Sequence, residues 1–148
     1  MSYGRYFEEL EQGQEYRHWP GRTITEFDDT LFSLMSMNQH PVHTDEHFAA
    51  QTQHGQRLVE GPLVISLVIG MSQADIGGQA LATIEYREIR HLAPEIHGDS
   101  IYAESVVMSK EDRDAGSGVV TVASRGRNQR DEVVVTLERV IVVPKKVT

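Results

Sequence analysis

Apolar residues follow a helix-like spacing in the first half of the chain and a strand-like alternation in the second half. In the first half, Thr25 precedes Asp28 by three residues, just before a run rich in leucine, phenylalanine and methionine. A hydroxyl residue followed by an acidic one at this spacing is typical of a capped helix N-terminus. A helix is therefore predicted from Thr25 to about Met37, which leaves Asn38 at its end.

A proline interrupts the helical pattern directly afterwards. Pro41 disfavours the helical conformation at His40, so residues 40–42 are predicted to form an extended segment or turn. Thr44 or Asp45 is then expected to cap a short helix through residues 48–50.

The segment 62–74 is apolar on nearly every face of a helix. Such a helix is predicted to be buried on all sides. Its apolar run is far shorter than the roughly 20 residues that span a bilayer, so no membrane segment is predicted.

From residue 80 onward, β-branched and alternating runs predict strands at residues 82–92, 100–108, 119–125 and 133–143, with a possible further strand at 14–19. Turns rich in glycine, proline and polar residues separate them, as in an antiparallel meander. The expected fold class is α+β, with a curved antiparallel sheet wrapped around the long central helix in a single domain, 1–148.

Composition narrows the classes of function. A formal net charge of -8 argues against a nucleic-acid surface. The absence of cysteine excludes disulfides and cysteine-ligated metals, and it is compatible with a reducing cytoplasm. The first ten residues lack the features of a signal peptide. We therefore expect a cytoplasmic protein without a cofactor, and we interpret arginines such as Arg87 and Arg125 as solvated strand charges.

Candidate chemistry is concentrated just after the first predicted helix. Four ionisable or hydrogen-bonding side chains fall within eight residues around a proline: Asn38, His40, His43 and Asp45. Packing alone rarely demands so many polar groups in so short a segment. Gly61 opens the apolar helix, where free backbone N–H groups can hold a developing negative charge. Together the two segments predict a reaction centre.

A metal site and a serine nucleophile are the less favoured interpretations. Histidines at 40, 43 and 47 are ligand types, but no two lie four apart within one predicted helix, and no metal is predicted. Ser36 and Ser66 lie in helical segments without the glycine-flanked turn that exposes a nucleophile. Asp45 is interpreted as an N-cap.

The segment from Ser36 to Asp45, Ser-Met-Asn-Gln-His-Pro-Val-His-Thr-Asp, resembles the motif of the MaoC-like dehydratases. This family has the hot dog fold and includes the R-specific enoyl-CoA hydratases. Its motif is approximately Ser-x-Asp-x-Asn-Pro-x-His-x-Asp, followed about eighteen residues after the histidine by His-Gly at the start of the central helix; Glu60-Gly61 occupies that place here. Residues 22–26 and 94–99 are also similar to the family pattern. The resemblance implies hydration or dehydration of an enoyl-CoA thioester.

Three positions depart from the family motif. Asn38 stands in place of the catalytic aspartate, His40 in place of the asparagine before proline, and Glu60 in place of the histidine before glycine. Family members acting on methyl-branched dicarboxylic acyl-CoAs, such as mesaconyl-CoA and itaconyl-CoA, are similar in their Asn-x-His-Pro-x-His segment, so a substrate of that kind is expected. An aspartate at position 38 would repel its second carboxylate.

Under this interpretation His43 is the general base, because histidine titrates near neutral pH. Gly61 supplies a backbone N–H to the thioester oxygen. Asn38 can only orient water or substrate, since an amide does not exchange protons. His40 is the candidate for the second acid–base role, with Glu60 as the alternative. The substrate-binding candidates are Glu60, Pro41 and Ser36.

A homodimer is expected, because the strand-rich half offers edges that a second copy can cover. The resemblance implies that the acyl-CoA enters a tunnel between the sheet and the partner subunit. Two alternatives remain open: a non-catalytic acyl-thioester binding protein, in which Asn38 marks the loss of chemistry, and a hot dog thioesterase.

Overall fold

The structure is a computed structural model that describes residues 3–147. The described helices are α1 (Glu26–Ser36), α2 (Pro41–Thr44), α3 (Glu46–Ala50) and α4 (Gly61–Met71). The described strands are β1 (Glu15–Arg17), β2 (Arg22–Thr23), β3 (Ala82–His91), β4 (Ser100–Asp112), β5 (Ser117–Arg127) and β6 (Val133–Pro144). Short 3-10 helices occupy Phe7–Glu9 and Gly77–Gln79. No helix in this range combines the length and apolar character needed to cross a membrane.

The strands form one open antiparallel sheet in the order β1-β4-β5-β6-β3, and β2 pairs with the beginning of β4. The consecutive strands β4, β5 and β6 form the predicted meander. Strand β3 pairs with β6 and is the outermost strand on that side of the described sheet. All five predicted strands are confirmed. The two-residue strand β2 was not predicted.

Helix α4 packs on one face of the sheet, as predicted for the central helix. Its buried residues Leu63, Val64 and Val68 share a core with the inward-facing residues of β4 and β6, among them Ile101, Val135 and Leu137. Gly126 on β5 permits this close approach, because a Cβ atom there would lie 2.7 Å from Cγ2 of Val68.

The prediction that the central helix is buried all round is wrong for this chain alone. Pro62, Ser66 and Gly70 are exposed, and the large side chains of Ile65 and Ile69 are only half-buried. A helix of this apolar character normally has every face covered. The sheet covers only one side of α4, so its remaining apolar surface is available to another partner.

Helix α1 begins as predicted. The Thr25 hydroxyl accepts a hydrogen bond from the backbone N–H of Asp28, and the Thr25 N–H donates to the Asp28 carboxylate at 2.8 Å. Such caps contribute about 1 kcal/mol to stability. The helix ends at Ser36, and Met37 turns the chain with a left-handed φ of 60°.

The segment after α1 is more helical than predicted. Pro41 opens α2, where its fixed φ suits the first helical position and its missing N–H costs nothing. His40 is extended, as predicted, but the prediction of an extended or turn conformation was wrong for Pro41 and Val42. Asp45 caps α3, and its carboxylate accepts a hydrogen bond from the Phe48 N–H at 2.9 Å.

Candidate active site

An extended segment, Leu58 to Glu60, leads into α4. The backbone N–H of each of its three residues donates a hydrogen bond to a different part of the chain. The Leu58 N–H donates to the carbonyl of Val42 at 3.1 Å, and the Val59 N–H donates to the carbonyl of Glu95 at 2.9 Å. The Glu60 N–H donates to Asp29 at 3.0 Å. These bonds place the motif segment beside the N-terminus of α4.

His43 is half-buried, and its Nδ1 lies 2.7 Å from the carbonyl oxygen of Leu58. A carbonyl oxygen only accepts hydrogen bonds, so Nδ1 carries the proton in the neutral imidazole. The other ring nitrogen, Nε2, is then unprotonated and able to accept a proton. Leu58 is three residues before Gly61, so this hydrogen bond attaches the His43 ring to the segment that leads into α4.

Gly61 is the first residue of α4, and the preceding Glu60 makes no side-chain cap. Among residues 3–147, the Gly61 N–H makes no hydrogen bond, and Pro62 has no N–H to offer. Gly61 therefore presents the free donor at this end of the helix. A Cβ atom at this position would lie 2.9 Å from Nδ1 of His91, so no larger residue fits without displacing that ring.

His91, at the end of β3, forms a wall of the site that the sequence analysis did not assign. Its Nε2 lies 2.8 Å from Oε2 of Glu95, whose side chain is completely buried. Burial raises the pKa of Glu95, and the hydrogen bond from His91 partly opposes this rise. The sequence does contain a signal for this contact, because the histidine and the glutamate are four residues apart. The proline between them led us to predict an ordinary turn instead.

Asn38 and His40 form a compact turn before α2. The Oδ1 of Asn38 accepts a hydrogen bond from the His40 N–H at 3.2 Å, and Nδ1 of His40 accepts one from the Val42 N–H at 3.1 Å. A neutral His40 therefore carries its proton on Nε2, the opposite tautomer to His43. The two rings meet edge to face with their centroids 6.1 Å apart.

The substrate-binding candidates are more dispersed. Pro41 only opens α2, whereas Ser36 donates weakly to Oε1 of the buried Glu60 at 3.4 Å. Behind Glu60, the buried carboxylate of Asp29 accepts from the Glu60 backbone and lies 2.9 Å from Nε2 of His97. The sequence analysis missed Asp29 and His97, because their sequence separation gives no sign that they meet.

The geometry brings together His43, His40, Asn38 and the N-terminus of α4, with Glu60 directly before it. Asp45 serves as the cap of α3, as predicted. Residues 3–147 contain no group of three or more histidine, aspartate or glutamate side chains arranged to hold a metal ion. What the arrangement offers is one proton acceptor, one neutral N–H donor and a free backbone N–H, which suits polar addition to a thioester.

An antiparallel sheet packed on a central helix, with a polar site at the helix N-terminus, defines a hot dog protein. The model of the MaoC like domain matches residues 8–128, and the chain belongs to this family. The fold also matches a solved Mycobacterium tuberculosis protein described as having a double hotdog fold, with a TM-score of 0.88 at 21% identity over 97% of this chain and 45% of that one. The prediction of a hot dog fold is confirmed.

Relatives with curated names are hydratases and dehydratases of acyl-CoAs. The chain is 33% identical over 146 residues to mesaconyl-CoA hydratase of Cereibacter sphaeroides and 32% identical over 144 residues to β-methylmalyl-CoA dehydratase of Chloroflexus aurantiacus. These matches cover 98% and 97% of this chain but only 43% and 41% of the relatives, so it spans less than half their length. An R-hydratase of Pseudomonas aeruginosa matches with a TM-score of 0.83 at 29% identity, over 95% of this chain and 86% of that one.

Proposed function

We propose that this chain is a hydro-lyase that adds water to an enoyl-CoA thioester or removes it from the hydroxyacyl-CoA. The observation that carries the proposal is the hydrogen bond from Nδ1 of His43 to the carbonyl of Leu58, which leaves Nε2 as a proton acceptor beside the segment that leads to the free N–H of Gly61. The names of the relatives support the same class of reaction. The proposal takes residues 1–148 as one hot dog domain.

In hydration, the oxygen of water bonds to the β-carbon while Nε2 of His43 takes one of the water's protons. Electron density moves through the double bond to the thioester oxygen, which accepts a hydrogen bond from the Gly61 N–H. A proton delivered to the α-carbon then restores the thioester. His40 is the proposed donor in its imidazolium form, which gives up the hydrogen bond that Nδ1 accepts from the Val42 N–H in the neutral form. The cycle balances when His43 returns its proton to solvent and His40 takes one up. Glu60 is the alternative, and Ser36 and Pro41 are assigned to shaping the site around it.

Asn38 has an orienting role in this proposal. Its Oδ1 already accepts from the His40 N–H, so its Nδ2 is the group left to donate to water or substrate. The substrate class is a short acyl-CoA, and the methyl-branched dicarboxylic acyl-CoAs, such as mesaconyl-CoA, are its leading members. The proposed location is the cytoplasm, which a chain without cysteine tolerates.

We also propose that two copies pair through the β3 edge. Ile84, Tyr86 and Ile89 on this strand are 59%, 52% and 46% exposed, which is unusual for large side chains in the middle of a strand. A second copy would cover this strand and the half-exposed flank of α4. The double hot dog of the solved relative supports such pairing within the fold. The acyl-CoA would then enter between the sheet and the partner subunit.

A panel of acyl-CoAs tests the function. The purified protein is incubated with crotonyl-CoA, mesaconyl-CoA and butyryl-CoA, and the enoyl absorbance, free thiol and binding heat are followed. Loss of enoyl absorbance without free thiol is the expected result. Release of thiol from all three would instead identify a thioesterase.

The rival function is non-catalytic binding of acyl thioesters. It is favoured by one observation: the Asn38 oxygen and the His40 Nδ1 are both occupied by local hydrogen bonds, so the motif retains less free acid–base capacity than the family pattern. Binding of crotonyl-CoA and butyryl-CoA with no turnover of either would support this rival and exclude the hydro-lyase.

A further inference from the structure

His91 and Glu95 form a hydrogen-bonded pair beside the start of α4, and the proposed mechanism gives neither of them a role. Nε2 of His91 lies 2.8 Å from Oε2 of Glu95. The Glu95 side chain is completely buried, whereas 37% of the His91 side chain is exposed. The pair therefore reaches from the core to the surface, and the imidazole is its accessible end.

The position of Glu95 is fixed by the segment that leads into α4. Its carbonyl oxygen accepts a hydrogen bond from the Val59 N–H at 2.9 Å. Its side-chain Oε1 is buried and makes no hydrogen bond within residues 3–147. The contact between Oε2 and the His91 ring therefore orients both side chains.

The other ring nitrogen of His91, Nδ1, makes no hydrogen bond within residues 3–147. Two arrangements of the protons leave a proton on Nδ1. A protonated Glu95 donates to Nε2 of a neutral ring, or a carboxylate accepts from Nε2 of an imidazolium. A third arrangement, a carboxylate beside a neutral ring protonated on Nε2, leaves a buried charge without a cation and is disfavoured. Burial raises the pKa of Glu95, which agrees with this order.

Nδ1 is also the ring atom closest to Gly61. A Cβ atom built on Gly61 would lie 2.9 Å from Nδ1, 3.2 Å from Cε1 and 3.6 Å from Cγ of His91. The nitrogen and the Cβ atom of one residue are about 2.5 Å apart, so Nδ1 lies at most about 5.4 Å from the Gly61 nitrogen. Hydrogen bonds from N–H to oxygen are about 2.9 Å long, so one oxygen atom fits within reach of both donors.

A second donor matters here because the backbone offers few. Pro62 has no N–H, and the Leu63 N–H donates to the Glu60 carbonyl at 3.0 Å. An oxygen that gains negative charge accepts more than one hydrogen bond. Each donor aimed at such an oxygen typically contributes about a hundred- to a thousand-fold to the rate. The His91 side chain lies where the backbone leaves the second place open.

We propose that His91 is a catalytic residue whose Nδ1–H binds the thioester oxygen together with the Gly61 N–H, and that Glu95 is the positioning residue that keeps the proton on Nδ1. This inference rests on the proposed hydro-lyase function and adds a second donor to it. As water bonds to the β-carbon, negative charge develops on the thioester oxygen, and both hydrogen bonds strengthen. The proton stays on Nδ1 throughout, so the roles of His43 and His40 are unchanged.

Replacement of the imidazole tests the donor. His91→Phe keeps a planar ring without nitrogen, so kcat on crotonyl-CoA should fall about a hundred- to a thousand-fold. KM should change little, because the interaction is strongest in the transition state. His91→Asn places an amide N–H near the position of Nδ1 and should recover part of the loss. The matched control is His54→Phe, at an exposed histidine in the turn after α3, which should keep full activity.

The positioning role of Glu95 is tested by two substitutions. The amide of Glu95→Gln still donates to Nε2 and leaves the proton on Nδ1, so this variant should keep most of the activity. Glu95→Leu removes the partner of Nε2 and should lower kcat more than Glu95→Gln. Equal rates for the two variants would remove Glu95 from the proposal.

The infrared carbonyl band of a bound thioester gives a readout that needs no turnover. Butyryl-CoA labelled with carbon-13 at the thioester carbon is bound to each protein, and the band is measured by difference spectroscopy. It should lie at higher wavenumber in His91→Phe than in the wild-type protein, because one hydrogen bond to the oxygen is lost. Should His91→Phe not fold, the double variant with Glu95→Leu removes both polar groups and should show the same shift.

The possible failures are distinguishable. If crotonyl-CoA is not hydrated but the carbonyl band depends on His91, the hydro-lyase function is wrong and the second donor stands. If crotonyl-CoA is hydrated and His91→Phe leaves kcat and the band unchanged, the second donor is overturned. A loss of activity with an unchanged band would overturn it as well, because His91 would then act away from the thioester oxygen. Absence of both turnover and butyryl-CoA binding in the wild-type protein would overturn both proposals.

Discussion

At the scale of single residues, the hydrogen bond from His43 Nδ1 to the Leu58 carbonyl is the central feature of the proposed site, because it leaves Nε2 unprotonated in the neutral ring. His43→Ala should lower kcat by about a hundred-fold to ten-thousand-fold, the usual contribution of a general base. Folding should be little affected, since the side chain is only half-buried. Steady-state kinetics on crotonyl-CoA, with the melting temperature measured in parallel, checks both statements.

The matched control for this change is His47→Ala, which removes an exposed histidine on the neighbouring helix α3. It should keep full activity. A His43→Ala protein that retains more than about half of the wild-type rate would show that His43 is not the base.

Gly61 is bordered by the His91 ring, and in the proposed mechanism its N–H faces the incoming thioester. Gly61→Ala should reduce kcat/KM at least tenfold, because the new Cβ atom forces the ring away and narrows the approach to the N–H. Gly70→Ala, at an exposed position of the same helix with open space around it, is the control and should be active. Equal activity of both variants would remove the backbone N–H from the mechanism.

Position 38 tests whether the proposed site takes a substrate that carries a second carboxylate. Asn38→Asp keeps the acceptor for the His40 N–H, so the turn should survive. The new charge should slow mesaconyl-CoA relative to crotonyl-CoA, since a four-carbon diacid holds its carboxylate close to the reacting carbons. An unchanged ratio of kcat/KM on mesaconyl-CoA to kcat/KM on crotonyl-CoA would contradict this expectation.

At the scale of elements, the turn between β3 and β4 supports the site, because it carries Glu95 and His97. Asp99 holds this turn together: its carboxylate accepts hydrogen bonds from the Ile96 N–H at 3.0 Å, from Gln129 at 2.7 Å and from Arg130 at 3.2 Å. Burial alone would raise the pKa of Asp99, but these hydrogen bonds and the Arg130 charge outweigh it and hold the pKa below its ordinary value.

A lowered pKa in the folded state stabilises the fold above the unfolded pKa, and that stability is lost as the pH falls through the folded pKa. The wild-type protein should therefore lose stability below about pH 4. Asp99→Asn should cost about 1–3 kcal/mol at pH 7 and should flatten the acid dependence. Urea unfolding at pH 7 and pH 3.5 measures both. Asp112→Asn, at an exposed carboxylate, should behave like wild type, and an unchanged acid slope in Asp99→Asn would refute the assignment.

The elements that the sequence predicted well are those determined by local chemistry. Thr25 and Asp28 carry their own capping signal, and the alternating pattern of β4 to β6 marks strands regardless of their neighbours. Strand β2 was missed because two residues become a strand only by pairing with β4. Pro41 opened a helix because the first helical position tolerates proline. The contacts of Gly61 with His91 and of Glu60 with Asp29 join residues that are far apart in the sequence. No local sequence pattern predicts them.

Arg139 is an intermediate case. It shares the inner face of β6 with Val135, Leu137 and Ile141, two residues apart each time, so the strand period alone places it among core residues. The sequence could therefore have identified an arginine at a core position. It could not show that no carboxylate of residues 3–147 pairs with this arginine, because that depends on every element packed around β6.

At the scale of the whole molecule, the incompletely covered face of α4 and the exposed edge of β3 lie on the same side of the fold. Gly61 at the start of α4 and His91 at the end of β3 also lie on this side. In the isolated chain this side is open to solvent. A second copy that pairs along β3 would close it and exclude water from the acyl group, so assembly and activity should be coupled.

The final prediction tests this coupling. The double substitution Ile84→Lys and Ile89→Lys places two charges on the β3 edge and should convert a dimer into a monomer, because like charges would face each other across the pairing axis. Activity should fall at least tenfold, although neither residue touches the reacting atoms. Sedimentation velocity together with kinetics at the same protein concentration measures both effects. The control is Met108→Lys, an equally exposed apolar residue on β4, which should remain dimeric and active. A wild-type protein that is monomeric and fully active at micromolar concentration would show that the proposed site works without a second copy.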